Sequence, residues 1–134
     1  MAGRPLHGRR ILVVEDEYYV ARELHLGLVA AGASVIGPAS SLDIALDLIK
    51  ASSTIDAAVL DINLSGEMVF PAADLLLERG VPIIFSTGYD RSAIPARFNH
   101  VPRCEKPFGF IKIQDNLLEA TGARKLSVSG RSRR

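Results

Sequence analysis

Ala57-Ala58-Val59-Leu60-Asp61 sets four apolar residues directly before a carboxylate, and Ile62-Asn63-Leu64-Ser65-Gly66 follows with turn chemistry. A short apolar run without alternation is the pattern of a strand buried on both faces, as in a parallel sheet covered by helices. In open α/β sheets, chemistry gathers outside the carboxyl ends of the strands. The stretch therefore predicts a strand over 57–61, with Asp61 standing at the functional edge.

The segments on either side repeat the same unit. Arg10-Ile11-Leu12-Val13-Val14 reads as a strand that runs into Glu15-Asp16. Asp16 is placed as an N-cap for a helix carrying Tyr19, Val20, Leu24 and Leu28 at helical spacing, which Gly32 stops. Ala33–Gly37 is a short strand closed by Gly37-Pro38. Ser40 or Ser41 caps a second helix with Leu42, Ala45, Leu46, Leu48 and Ile49 as its apolar face. After Asp61, Pro71 falls in the first turn of a helix where a missing N–H is tolerated, and Gly80 ends that helix. Val81–Phe85 is a fourth strand leading into Ser86-Thr87-Gly88-Tyr89. A helix over 90–98 is interrupted by Pro95. Val101–Cys104 is a fifth strand, read from the alternation of units rather than from its composition, and Phe108–Ala120 is a last helix. Five βα units in succession imply a doubly wound five-stranded parallel sheet with helices on both faces.

Length and composition bound the rest. A chain of 134 residues with 48% hydrophobic content is one domain with a real core. Residues 1–8 read as a loose arm, 9–120 as the domain, and 121–134 as a basic disordered tail. That tail holds Arg124, Lys125, Arg131, Arg133 and Arg134 and no acid, so the first 120 residues carry 11 basic against 15 acidic groups. Such a balance argues against a nucleic-acid surface. No apolar run approaches the roughly 18 residues needed to span a membrane. The single Cys104 fits a small core residue in a reducing compartment, and the expected location is cytoplasmic. His7, His25 and His100 form no ligand spacing.

The strand ends bring Glu15, Asp16, Asp61, Thr87 and Lys106 to one edge. Two carboxylates about 4 Å apart repel by on the order of 4 kcal/mol at an effective dielectric of about 20. The cluster is tolerable if it keeps a proton or holds a hard cation, and Mg²⁺ suits oxygen ligands. With Lys106 and the Thr87 hydroxyl nearby, the set fits phosphoryl transfer onto Asp61 as an acyl phosphate.

Four pieces of sequence in this order are specific: Ile11-Leu12-Val13-Val14-Glu15-Asp16-Glu17, Leu60-Asp61-Ile62-Asn63-Leu64, Ser86-Thr87-Gly88 and Glu105-Lys106-Pro107-Phe108. Over residues 9–120 the chain resembles a response-regulator receiver domain of two-component signalling, a flavodoxin-like (βα)5 fold. The resemblance implies that Glu15 and Asp16 hold Mg²⁺ and that Asp61 is phosphoacceptor and metal ligand. It further implies a backbone carbonyl from Asn63 to the metal, Thr87 as the switch hydroxyl, and Lys106 paired with the phosphoryl group before a cis bond to Pro107. Two positions depart from the pattern. Leu64-Ser65 stands where a Met-Pro pair is usual, and Arg103 where a switch aromatic is usual. Phe85-Ser86-Thr87-Gly88-Tyr89 instead resembles a Phe-Ala-Thr-Gly-Tyr subgroup of stand-alone receivers, partnered with bacterial stress-response and light-sensing histidine kinases. Tyr89 then reads either as part of the switch or as a packing tyrosine.

The expected function is a single-domain switch that takes a phosphoryl group from a histidine kinase or histidine phosphotransfer protein and alters protein–protein contacts. A phosphate sink or relay uses the same chemistry. A receiver-like module working without phosphate is the alternative, and homodimerisation through the last helix stays open. A phosphohydrolase is disfavoured, since it usually needs an aspartate two residues past the nucleophile, where this chain has Asn63.

Overall fold

The computed structural model describes residues 4–88, 94–106 and 109–122. Its elements are β1 (Arg10–Val14), α1 (Tyr18–Ala30), β2 (Ser34–Ala39), α2 (Leu42–Ala51), β3 (Ala57–Asp61), β4 (Asn63–Leu64), β5 (Glu67–Met68), α3 (Phe70–Glu78), β6 (Ile83–Thr87), a 3₁₀ turn (Ala96–Phe98), β7 (Arg103–Glu105) and α4 (Phe110–Ala120). Five strands form one parallel sheet in the order β2-β1-β3-β6-β7. This is the flavodoxin-like order, with β4 and β5 as a separate small hairpin. No helix among the described residues is long and apolar enough to cross a membrane.

The apolar run that predicted β3 holds, with all five residues buried, and β6 is buried along its whole length too. Both are interior strands flanked on each face by helices. One layer packs Leu12, Ala58, Leu60 and Phe85 against Ile49 of α2 and Leu76 of α3. The other packs Val13, Val59 and Ile84 against Leu24 and Leu28 of α1 and Ile113 and Leu117 of α4. Alternate residues of one strand thus feed opposite layers. Each fully buried leucine or isoleucine contributes about 2 kcal/mol from apolar burial.

Several local expectations are corrected. The N-terminal stretch is docked rather than loose over residues 4–8. Leu6 is fully buried, and its N–H donates to the Ala31 carbonyl at 2.8 Å. The N-cap of α1 is Glu17, not Asp16, and its side chain makes no capping bond. Tyr19 is 79% exposed and lies edge-on to Tyr18, whereas Ala21, Leu24 and Leu28 face the core. At 3.6 residues per turn Tyr19 sits about 140° around the helix from Leu24.

β2 does not close at Gly37-Pro38 but continues to Ala39. The register shifts between Leu12 and Val14, so β2 carries an extra residue, absorbed by Gly37 at φ 99° before a cis bond to Pro38. A Cβ at Gly37 would stand 2.8 Å from the Ala39 nitrogen and 2.9 Å from the Val13 carbonyl, so glycine is required. Pro38 is tolerated because β2 is an edge strand.

Ser41 caps α2, its Oγ accepting from the Ile44 N–H at 3.2 Å. The expected helix over 90–98 is reduced, among the described residues, to the 3₁₀ turn at Ala96–Phe98. Phe98 stacks on Phe70 at 5.4 Å and meets Phe85 edge-on at 5.5 Å. Arg97 forks onto Asp74 of α3, with both bonds at 2.9 Å.

Candidate functional site

The carboxyl ends of β1, β3, β6 and β7 converge. Glu15 follows β1 at once, and its N–H donates to the Ala39 carbonyl at 2.9 Å, so the extended end of β2 fixes where the acidic run begins. Asp61 is the last residue of β3, and Ser86 is its register partner on β6. Thr87 closes β6, buried, and its carbonyl accepts from the Lys106 N–H at 2.7 Å. Lys106 is thereby pinned by its backbone to the strand end that carries Thr87.

Glu15, Asp16 and Asp61 each bring a carboxylate oxygen within 4.8 Å of the others. Glu15 and Asp61 are buried. Lys106 Nζ lies 3.0 Å from Glu15 Oε2, 3.1 Å from Glu17 Oε1 and 3.4 Å from Asp61 Oδ2. One ammonium thus faces a crowd of carboxylates, which leaves the cluster negative.

The electrostatics record the crowding. Burial, then the charge of Glu15, push the Asp61 carboxyl up to about 8, against the pull of Lys106. Burial pulls the Lys106 ammonium down, but Glu15, Asp61 and Glu17 outweigh it and hold it above the ordinary lysine range. Without a cation Asp61 therefore holds its proton far more tightly than an ordinary carboxylate.

The residues present fit a divalent cation. Glu15 Oε2 accepts from both Lys106 Nζ and the Glu17 N–H, but buried Glu15 Oε1 has no hydrogen-bond partner among the described residues. A buried carboxylate oxygen without a donor is costly unless a cation or water completes it. Three carboxylates and no nitrogen or sulfur ligand is a hard-cation set, suited to Mg²⁺ with retained waters.

The cluster opens into a cleft of about 710 Å³. Asp16, Glu17, Asp61, Asn63 and Lys106 form its polar wall, while Val20, Leu24 and Phe110 form an apolar wall between α1 and α4. The Phe110 ring lies against Gly27 so closely that a Cβ there would stand 2.6 Å away.

The side chains of Glu15, Asp16, Asp61 and Lys106 thus meet, and Thr87 stands at the end of β6 with its carbonyl on the Lys106 N–H. Asn63 lines the cleft, with its Oδ1 accepting from the Gly66 N–H at 2.6 Å. Tyr89 and the Lys106-Pro107 bond lie outside the described residues. Two contacts escaped the sequence reading. Glu17 shares Lys106, a role hinted at by the unbroken acidic run from Glu15. Ser65 donates through Oγ to Asp16 Oδ2 at 2.5 Å, a contact across 49 positions that no local pattern announces.

No family model and no curated protein sequence matches the chain. Solved structures do. The solution structure of SdrG from Sphingomonas melonis Fr1 is 33% identical, with a TM-score of 0.74, over 84% of this chain and 95% of that one. The BeF3-activated conformation of SdrG from Pseudomonas melonis Fr1 is 30% identical, with a TM-score of 0.69, over 90% and 99%. A response regulator receiver protein from Sinorhizobium medicae WSM419 shares the fold at 23% identity and a TM-score of 0.73, over 89% and 98%.

Proposed function

The chain belongs to the response-regulator receiver family, and from that premise we propose that it is a phosphoacceptor switch whose acceptor is Asp61. The observation that carries this reading is the placement of Asp61 between two further carboxylates and Lys106 at one sheet edge.

In the proposed reaction, a carboxylate oxygen of Asp61 attacks the phosphorus of a phosphorylated histidine on a kinase or phosphotransfer protein. The P–N bond breaks, and the imidazole leaves with the electron pair and picks up a proton from water. Lys106, already 3.4 Å from Asp61, takes up part of the charge on the phosphoryl oxygens. The hydroxyl of Thr87, one strand over, donates to the phosphoryl group once it is in place, and that closure shifts the face around β7 and α4 between two states. Glu15, Asp16 and Asp61 would hold Mg²⁺, with Asn63 adding its carbonyl; bound there, the ion supplies positive charge that favours ionised Asp61 and offsets the phosphoryl oxygens. Acceptance is stoichiometric, with slow loss of the phosphoryl group to water rather than turnover. The output is altered protein contact or onward relay, and Tyr89 is assigned a share of the switch.

Incubation with acetyl phosphate and Mg²⁺, read by intact-protein mass spectrometry, tests the acceptor. A phosphoryl adduct that Asp61→Asn abolishes supports it; an adduct that survives the substitution refutes the site. A phosphorylated kinase as donor tests the partner class, and passage of the label to a histidine phosphotransfer protein distinguishes relay from a terminal switch.

A further inference from the structure

The hairpin after Asp61 reaches back into the acidic cluster. β4 and β5 pair Leu64 with Glu67, so Ser65 and Gly66 form a two-residue loop. Both are left-handed, Ser65 at φ 55° and Gly66 at φ 98°, the backbone of a type I′ turn, in which Asn-Gly and Asp-Gly are the favoured pairs. Serine is an unusual occupant of the first position, and among the described residues it is the one non-glycine with positive φ. The turn is held from inside by buried Leu64, by the Asn63 side chain on the Gly66 N–H, and by the Val69 N–H on the Ile62 carbonyl at 2.9 Å. From this fixed and strained position the Ser65 hydroxyl donates to Asp16 Oδ2.

Asp16 is half-buried at the cleft wall, where one side of its carboxylate meets the Asp61 carboxyl through a side-chain hydrogen bond and the other meets Ser65. We infer that Ser65 is a positioning residue for the cation: its hydroxyl ties one oxygen of Asp16 and so presents the carboxylate toward Glu15 and Asp61 in a ready-made binding geometry. The inference rests on the reading of this cluster as a Mg²⁺ site. Partners that orient a metal ligand without touching the ion typically change affinity about 10- to 100-fold when removed.

The test separates hydroxyl from backbone. Mg²⁺ is titrated calorimetrically into the metal-free wild type, Ser65→Gly and Ser65→Asn, and the metal-free Tm of each is measured. Glycine suits the left-handed backbone and removes the hydroxyl, so its metal-free Tm should equal or exceed wild type while its Mg²⁺ dissociation constant rises about 10-fold. Asparagine tolerates the same backbone and keeps a donor, so it should restore most of the affinity. Wild-type affinity in Ser65→Gly would overturn the inference and leave the Mg²⁺ site standing. No heat of Mg²⁺ binding in the wild type would overturn both.

Discussion

At the residue scale the decisive group is Asp61. Its carboxyl, buried beside Glu15, is pushed up to about 8, so the folded chain keeps a proton that the unfolded chain releases near 4. The unfolded state binds fewer protons through that window, so the metal-free protein should lose stability as pH rises from about 4 to about 8. One linked proton limits the slope to about 1.4 kcal/mol per pH unit. Urea unfolding in EDTA across this range should show the decline, and Asp61→Asn, with nothing to titrate, should flatten it. Mg²⁺ requires the ionised form, so the Tm increase it gives should be larger at pH 8 than at pH 5. Asp61 was legible because an apolar run ending on a carboxylate is a local pattern. The role of Ser65 was not, because a contact across 49 positions depends on where two loops meet.

At the element scale, two connections separate strong from weak supports. Gly37→Ala would place a Cβ against the Ala39 nitrogen and the Val13 carbonyl at a positive φ, and should cost about 2–3 kcal/mol in urea unfolding. Because Ala39 holds the Glu15 N–H, the same variant should also weaken Mg²⁺ binding. Around the 3₁₀ turn, the Arg97–Asp74 fork is exposed and screened by water, so Arg97→Ala should shift the urea midpoint far less than a core truncation does. Phe98→Ala removes a fully buried ring from between Phe70 and Phe85 and should cost about 3–5 kcal/mol. Urea midpoints of the two variants compare them directly. The strands β1 and β3 could be read from their composition because interior parallel strands are mostly apolar, whereas β6 begins two residues after the apolar Val81–Phe85 stretch does and runs on into Ser86 and Thr87. The limits of β2 and β7 could not, since edge strands need only one neighbour and tolerate glycine, proline and charge. The hairpin of β4 and β5, two residues a side, is too short to carry an alternating pattern.

For the whole molecule, the parallel sheet and the split of helices between two faces followed from counting units, while the flavodoxin-like order came with the family resemblance, and the structure bears both out. The docking of residues 4–8 did not follow, because one leucine among basic and turn residues looks like a solvated arm. Leu6 nevertheless completes the layer beneath α1, and Leu6→Ala should cost about 2–4 kcal/mol, read as a fall in Tm. The two borders of the sheet have a further consequence. β2 presents Pro38, which lacks an N–H, beside the irregular turn of Gly37, and β7 offers three residues with exposed Arg103 and Glu105. A foreign strand docking on either border would find an interrupted ladder on one side and a brief, charged one on the other. Ribbon-like growth by strand addition is thereby discouraged even where chains crowd together, and any assembly of this protein is steered to its helices and loops.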